Sequence, residues 1–163
     1  TIIVSGFSKT FAMTGWRLGY ITAASKLADR ILRVHQYSTT CSPTFSQAGV
    51  AEAMNSENTQ REVEEMLNSF ARRRELIIKG LSEIPGLSYA IPYGAFYILV
   101  DVSALGMTGT DFAEQLLSKK YVATVPGIGF SPACGAYIRI SYATSESDIK
   151  EGLRRIAEFV NEI

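Results

Sequence analysis

Two basic side chains near the start of the chain, Lys9 and Arg17, stand where their chemistry could be used. Lys9 follows a short apolar run and a turn that contains glycine and hydroxyl residues. Apolar neighbours such as Phe7, Phe11 and Met13 can partly desolvate it, and desolvation lowers the pKa of an amine. A neutral amine attacks an aldehyde to form a Schiff base, and a guanidinium suits a phosphate. The pair indicates either a binding site for a ligand that carries an aldehyde and a phosphate, or a solvated surface loop.

A third basic residue, Arg139, lies in the middle of an apolar run that predicts a strand over residues 136–142. Alternation places Tyr137, Arg139 and Ser141 on one face of this strand and apolar residues on the other. Arginine is unusual in a strand, where β-branched and aromatic residues dominate. Two interpretations follow. One is an edge strand with a solvated outer face, and the other is a strand that holds the guanidinium rigidly for bidentate binding of a carboxylate.

The elements that must position these side chains are alternating strands and helices. Apolar runs bounded by glycine and proline predict strands over 2–4, 18–22, 87–90, 95–102, 122–125 and 136–142. Apolar residues at three-to-four spacing, together with capping residues, predict helices. The helices are expected to begin at Ser25, near Phe45, and at Thr59, Thr110 and Ser145. This order predicts a layered α/β (α+β) fold.

Composition and charge exclude several classes of protein. The 163 residues contain sixteen Lys and Arg and sixteen Asp and Glu. A net charge of zero gives no electrostatic case for binding nucleic acid or an anionic membrane surface. No apolar run approaches the roughly 20 residues that span a bilayer. We therefore expect a globular domain that acts on small molecules, with no nucleic-acid or membrane partner.

The remaining polar signals are weaker. Cys41 and Cys134 have no partner that would suggest a disulfide framework or a metal site, and they favour a reducing, cytoplasmic location. His35 is the sole histidine, so a metal centre and a Ser–His triad are both disfavoured. The run 72–74 of three arginines is interpreted as a solvated helix face rather than an anion site.

A longer motif connects Lys9 and Arg17. The sequence reads Gly6-Phe7-Ser8-Lys9 and then Gly15-Trp16-Arg17-Leu18-Gly19. It resembles the cofactor-lysine motif of the class I/II aminotransferases, the aspartate aminotransferase family that uses pyridoxal 5′-phosphate (PLP). The resemblance implies that Lys9 forms the Schiff base with PLP and moves the proton between the substrate Cα and the cofactor C4′. It implies that Arg17 binds the cofactor phosphate, with Ser8 as a further candidate for cofactor binding.

Other segments resemble the same family. Residues 137–141 are similar to its Y-x-R-[ILV]-[SN] segment, which implies that Arg139 binds the α-carboxylate of the substrate. Residues 125–130 are similar to a VPGxxF loop. Residues 92–97 are similar to a PxGAFY segment that borders the substrate, although an ordinary hairpin would also explain them. Residues 37–47 resemble a segment at the dimer interface, which implies a homodimer.

The resemblance covers the C-terminal part of that family. It implies that residues 1–45 are the last piece of the large PLP-binding domain. Residues 46–163 would then form the small C-terminal domain of the aspartate-aminotransferase-like fold, including a long connecting helix. Upstream family elements, such as the aspartate that pairs with the pyridine nitrogen, have no counterpart before Lys9. We therefore expect a C-terminal fragment with little or no activity by itself.

The implied activity is transfer of an amino group from an amino acid to a 2-oxo acid, in amino acid metabolism. Two alternatives stay open at this point. Lys9, Arg17 and Arg139 would serve a PLP-dependent carbon–sulfur lyase or synthase of the same fold equally well. The chain could also be a non-catalytic fragment in which only the part after residue 45 folds stably.

Overall fold

A computed structural model describes all 163 residues of the chain. The chain divides into two compact units, Thr1–Met66 and Leu67–Ile163. The boundary falls within the long helix α4, which spans Glu57–Ser82. The predicted division after residue 45 stays a prediction. None of the helices is both long and apolar enough to cross a lipid bilayer.

The first unit is built on an antiparallel strand pair. It contains β1 (Ile2–Gly6), α1 (Phe7–Thr10), β2 (Gly19–Ala23), α2 (Ser25–Thr39) and α3 (Thr44–Met54), followed by the first turns of α4. The strands pair in register from Ile2 opposite Ala23 to Gly6 opposite Gly19. Three residues of this unit are buried, namely Leu18, Ser46 and Val50.

The exposure of β1 corrects part of the sequence interpretation. The predicted strand is present, but Ile2, Ile3 and Val4 are 49%, 53% and 73% exposed. An apolar run predicts a strand that belongs in a core. β1 pairs only with β2, and its residues Ile2–Ser5 are exposed on both faces of the strand.

The second unit is built on a four-stranded antiparallel sheet. Its strands are β3 (Ser88–Tyr89), β4 (Tyr97–Asp101), β5 (Val125–Pro126) and β6 (Tyr137–Ser141), in the order β3-β4-β6-β5. Arg139 pairs with Leu99 on one side and Val125 on the other. The strand that carries Arg139 is therefore interior, and the edge-strand interpretation is wrong.

Helices cover one face of this sheet. The later turns of α4, together with α5 (Gly109–Lys120) and α6 (Glu146–Asn161), pack their apolar sides against the inward residues of β4 and β6. Each large apolar side chain buried in this way contributes about 1.5–3 kcal/mol. The core comprises Ile77, Leu81, Ile84, Ile98, Val100, Val102, Phe112, Ala113, Leu116, Ile138, Ile140, Tyr142, Ile149, Leu153, Ile156, Phe159 and Val160. The predicted layered α/β fold is confirmed, and the opposite face of the sheet is left open.

The helix starts confirm one predicted cap and correct three. Ser145 caps α6 as predicted, because its hydroxyl accepts a bond from a backbone N–H of the first turn. The cap of α5 is Thr108 rather than Thr110, which lies inside the helix. Ser25 is the first residue of α2 and makes no capping bond. Thr59 lies two residues inside α4, so the predicted start of this helix at Thr59 is wrong.

The loop and turn predictions also change in detail. The connection between β1 and β2 contains α1 and a turn of 3₁₀ helix over Thr14–Trp16. Helix α2 continues to Thr39, into the segment 37–47 that resembles a dimer-interface segment. The predicted strand over 122–125 shrinks to the two residues of β5, because only these pair with β6.

The arginine run is only partly a solvated face. Arg72 is exposed and lies 3.6 Å from the carboxylate of Glu146. Arg73 is half-buried, with its guanidinium carbon 5.4 Å from the ring centroid of Phe70. Arg74 is also half-buried, and its Nε donates to the carbonyl of Pro92. The solvated-face interpretation is therefore right for Arg72 and wrong for the next two arginines.

Candidate functional site

The open face of the four-stranded sheet carries a groove of about 710 Å³. Arg139 lies half-buried in its lining, on the face of β6 opposite the core. The alternation predicted for residues 137–142 is confirmed, because residues 138, 140 and 142 are buried. The lining comprises Ser88, Tyr89, Ala90, Ile91, Pro92, Tyr97, Leu99, Asp101, Phe130, Tyr137 and Arg139.

The guanidinium of Arg139 contacts two aromatic rings. Its central carbon lies 4.3 Å from the ring centroid of Tyr97 and 4.7 Å from that of Phe130. Cation–π contacts of this kind hold an arginine without using its N–H donors. No carboxylate forms an ion pair with Arg139, so those donors remain for a ligand. A guanidinium held in this way is suited to bind a carboxylate with two parallel hydrogen bonds.

A tight turn places Phe130 next to Arg139. The chain passes from β5 into a 3₁₀ turn over Gly127–Gly129, and the N–H of Phe130 donates to the carbonyl of Gly127 at 2.9 Å. A Cβ atom added at Gly127 would lie 2.4 Å from the carbonyl oxygen of Cys134. Only glycine permits this close approach of two backbone segments, so Gly127 allows the turn that presents Phe130.

A carboxylate also lines the groove. Asp101 lies at the end of β4, and its Oδ1 accepts a 2.8 Å bond from the backbone N–H of Ser103. This bond, with a further bond from the Ser103 side chain, holds the pKa of Asp101 below its usual value. Asp101 is therefore ionised at neutral pH and repels anions. The groove accordingly favours an anion near Arg139 and away from Asp101.

The candidate residues of the first unit lie in one connection between two strands. The connection closes where Gly6 pairs with Gly19 and where Phe7 N–H donates to the Leu18 carbonyl at 3.2 Å. A Cβ at Gly19 would lie 2.9 Å from the Ser5 carbonyl oxygen, so the closing pair needs glycine there. The need for the motif's last glycine, Gly19, is thus explained by strand closure.

Lys9 lies in α1 and is exposed. The aromatic residues near it in the sequence contact one another. The ring of Phe7 lies 5.8 Å from that of Phe11 and 5.4 Å from that of Tyr20, between centroids. Phe7, Phe11 and Tyr20 thus form an aromatic cluster, while Lys9 itself is exposed in this chain.

Arg17 and Ser8 belong to the same connection. Arg17 is exposed, adopts a left-handed backbone conformation with φ of 55°, and donates from Nη1 to the Thr14 carbonyl at 2.9 Å. Ser8 is half-buried and precedes Lys9 in α1. An amine, a guanidinium and a hydroxyl on one short connection are the donor set that an aldehyde and a phosphate on one ligand would require. The residues present therefore fit a group of that kind.

The predicted site residues fall into two groups. Ser8, Lys9 and Arg17 lie in the connection between β1 and β2 of the first unit, whereas Arg139 lies in the sheet of the second unit. The contacts of Tyr97 and Phe130 with Arg139 were not predicted. Their signal in the sequence was an aromatic residue at the end of each of two motifs, 92–97 and 125–130. Nothing in that pattern indicates that both rings meet one guanidinium.

The other reactive residues form no centre. No group of three or more His, Cys, Asp or Glu side chains is arranged to hold a metal ion. Both cysteines are free thiols. The ring Nε2 of His35 shares a 3.1 Å hydrogen bond with the hydroxyl of Thr39 on the exposed side of α2.

Comparison with known proteins gives consistent matches over nearly the whole chain. The family model for aminotransferases of class I and II matches residues 1–156. A putative aminotransferase, YugH, from Bacillus subtilis is 45% identical over 99% of this chain and 41% of its own length. An aspartate aminotransferase from Pyrococcus abyssi is 43% identical over 99% and 41%.

Solved structures give the same result. The aromatic aminotransferase from Pyrococcus horikoshii superposes with a TM-score of 0.94 at 43% identity, covering 99% of this chain and 43% of the other. The aspartate aminotransferase from Rhizobium meliloti gives 0.89 at 38% identity, covering 99% and 42%. The chain therefore spans about two-fifths of the length of the relatives that it matches.

Proposed function

This chain belongs to the family of class I and II aminotransferases, and on that premise we propose that the whole protein moves an amino group from an amino acid to a 2-oxo acid. The observation that carries the proposal is the state of Arg139. Its guanidinium is held by two aromatic rings, forms no ion pair and lines an open groove. That arrangement suits the carboxylate that amino acids and 2-oxo acids share.

The proposed cofactor is PLP, held by the connection between β1 and β2. When bound, PLP supplies an electron sink that lets the amino group and the Cα hydrogen of an amino acid be exchanged. Lys9 would bind the cofactor covalently through Nζ and move the proton at the substrate Cα. Arg17 would donate to the phosphate oxygens, with Ser8 adding a hydroxyl donor. These roles rest on the donor set of the connection and on family membership.

Arg139 would bind and orient the substrate. A bidentate pair between a guanidinium and a carboxylate fixes the plane of the carboxylate as well as its position. The rings of Tyr97 and Phe130 limit the directions in which the guanidinium can turn. The same residue would serve both half-reactions, because the amino acid and the 2-oxo acid carry the carboxylate at the same place.

The proposal extends to the assembly and setting of the protein. We include a homodimer, whose interface would contain residues 37–47, and a cytoplasmic location with a role in amino acid metabolism. Family membership supports the homodimer, and the two free thiols fit a reducing compartment such as the cytoplasm. The division into residues 1–45 of the large domain and 46–163 of the small domain belongs to the same proposal.

The 163 residues by themselves are expected to show little or no transamination. Lys9 and Arg17 are exposed, and their unit buries only three residues, so this chain packs little of its own structure around them. The measurement is an assay of several amino acids with 2-oxoglutarate, run on this chain and on the protein from the complete reading frame. Robust turnover by the 163-residue chain would contradict this expectation.

Substitution of Arg139 in the full-length protein tests the proposed function. Arg139→Gln is expected to lower kcat/KM for the amino acid and for the 2-oxo acid by about ten- to a hundredfold, because a charge-assisted pair is lost. Arg72→Gln is the matched control, since Arg72 is exposed and lies outside the groove. Equal kcat/KM values for the wild type and Arg139→Gln would contradict the proposal. Identification of the products distinguishes the two activities, because transamination yields a new amino acid and a lyase does not.

A further inference from the structure

The segment before β4, Pro92–Phe96, is attached to two other elements by hydrogen bonds; we call it the 92–96 loop. From α4, Nε of Arg74 donates to the carbonyl of Pro92 at 2.5 Å. From the end of β6, the hydroxyl of Tyr142 donates to the carbonyl of Ala95 at 3.1 Å. The backbone N–H of Tyr142 donates to the carbonyl of Phe96 at 3.0 Å. The loop is thus held at both its ends.

The backbone of this loop is strained at Ala95. Its φ of 60° lies in the left-handed region, where an alanine side chain meets steric repulsion and glycine does not. Such a conformation persists only when surrounding contacts hold it. The contact that holds it is the Tyr142 hydroxyl, which belongs to a side chain only 1% exposed. Without that bond, we expect the Ala95 peptide to rotate towards a less strained φ.

A change in the backbone conformation of Ala95 would alter the position of Tyr97, two residues later, whose ring contacts Arg139. Phe96 follows Ala95, with its ring stacked 5.7 Å from Phe70 and 4.4 Å from Tyr97, between centroids. Tyr97 is the ring that lies 4.3 Å from the guanidinium carbon of Arg139. The strained residue, the three hydrogen bonds and the guanidinium therefore form one continuous series of contacts within the second unit.

We propose that Arg74 and Tyr142 are positioning residues for binding of the substrate carboxylate. Neither residue lines the groove that contains Arg139. They hold the 92–96 loop so that Tyr97 keeps Arg139 in one orientation. The inference rests on the proposed role of Arg139 as the residue that binds the carboxylate of amino and 2-oxo acids.

The first part of the test uses three variants of the full-length, PLP-loaded protein. Arg74→Met and Tyr142→Phe each remove one hydrogen bond to the loop and keep most of the side-chain volume. Arg72→Met removes a neighbouring arginine of α4 that does not contact the loop. Arg74→Met and Tyr142→Phe are each expected to raise KM for both substrates about three- to tenfold, with kcat within twofold of the wild type. The competitive inhibition constant of propionate, a carboxylate that cannot react, should rise in parallel, and Arg72→Met should change neither quantity.

The second part asks whether Tyr142 acts through Ala95. Glycine adopts a φ of 60° without strain, so Ala95→Gly should leave KM near the wild-type value and should lower the raised KM of Tyr142→Phe in the double variant. A purely structural role of Tyr142 in the core would not be rescued at residue 95. Rescue supports the inference. Absence of rescue, or a fall of kcat and Tm with no change in KM, overturns it.

Arg139→Gln, measured in the same series, separates the two proposals. If Arg139→Gln raises KM while Arg74→Met and Tyr142→Phe leave it unchanged, the positioning role is wrong and the proposed function stands. If Arg139→Gln leaves KM and propionate inhibition unchanged, the proposed function is wrong, and the positioning role is wrong with it.

Discussion

The two units of the chain differ in how their candidate residues are supported. The second unit buries seventeen apolar residues in one core, and Arg139 lies on the interior strand of the sheet that forms part of it. The first unit buries Leu18, Ser46 and Val50, and Lys9 lies in a connection between two strands with exposed faces. The surroundings of Arg139 are therefore set within its own unit, whereas those of Lys9 are not.

The difference has a thermodynamic consequence. Burial of apolar surface is the main favourable contribution to folding, and ordering the backbone is the main cost. A two-stranded pair without a covered face is marginal in water. We expect the local free energy of opening to be close to zero around β1 and β2, and close to the global value around β4 and β6.

The largest expected effect is in amide hydrogen exchange of the 163-residue chain. Strands β1 and β6 both have five residues and both pair antiparallel, so they form a matched comparison. The paired amides of β6 should exchange at least about a hundredfold more slowly than those of β1, because opening β6 exposes the core. The measurement is residue-resolved exchange by NMR.

The same measurement on the full-length protein sharpens the comparison. Protection of β1 is expected to rise towards that of β6 if further chain covers its exposed faces. Equal protection of the two strands in the 163-residue chain would contradict the difference between the units.

A smaller effect is expected at the turn that presents Phe130. Gly127→Ala should lower the free energy of unfolding of the second unit by about 1–3 kcal/mol, because the new Cβ meets the Cys134 carbonyl and the backbone must shift. Gly129→Ala is the matched control in the same turn, since no heavy atom lies within 4 Å of its Cβ position. Its effect should stay within about 0.5 kcal/mol. Denaturant unfolding provides the measurement, and equal effects at the two glycines would contradict the close packing of this turn.

The smallest effect concerns an ion-pair network on α6. Hydrogen bonds from Arg154 and Arg155 lower the pKa of Glu151 to about 2 from an ordinary value of 4.5. A depressed pKa means that Glu151 stabilises the fold fully above pH 4.5 and loses this contribution as the pH falls through about 2.

Thermal melts of the wild type and Glu151→Gln check this pH dependence. The difference in Tm should be largest above pH 4.5, should amount to a few degrees at most because these groups are exposed, and should vanish near pH 2. Glu114→Gln is the control, because Glu114 is exposed on α5 and forms no ion pair. A difference that grows as the pH falls would contradict the assigned sign.

Local pattern was sufficient for much of the fold. Alternation placed the core face of β6 correctly, and Ser145 capped its helix as predicted. The errors in helix starts arose where neighbouring residues were equally suited to cap the helix, as with Thr108 and Thr110 at α5. Strand order depends on pairing between distant segments, so the edge interpretation of β6 could not be corrected from its own residues.

The candidate site residues Lys9, Arg17 and Arg139 come from residue type and family motif, and their roles stay predictions. Their contacts could not be predicted from the sequence. The contacts of Tyr97 and Phe130 with Arg139, and the bonds of Arg74 and Tyr142 to the 92–96 loop, join residues far apart in sequence. No short-range pattern encodes such contacts, and the arginine run accordingly read as a solvated face.

The central claim is that Lys9 binds PLP covalently through its amine, and borohydride reduction tests it most directly. The full-length protein is loaded with PLP, reduced, digested and analysed by mass spectrometry, with Lys26 and Lys79 as internal controls on the same chain. The account predicts a stable pyridoxyl-phosphate adduct on Lys9 and none on the two controls. A reduced protein with Lys9 unmodified, or with the adduct on another lysine, would contradict it.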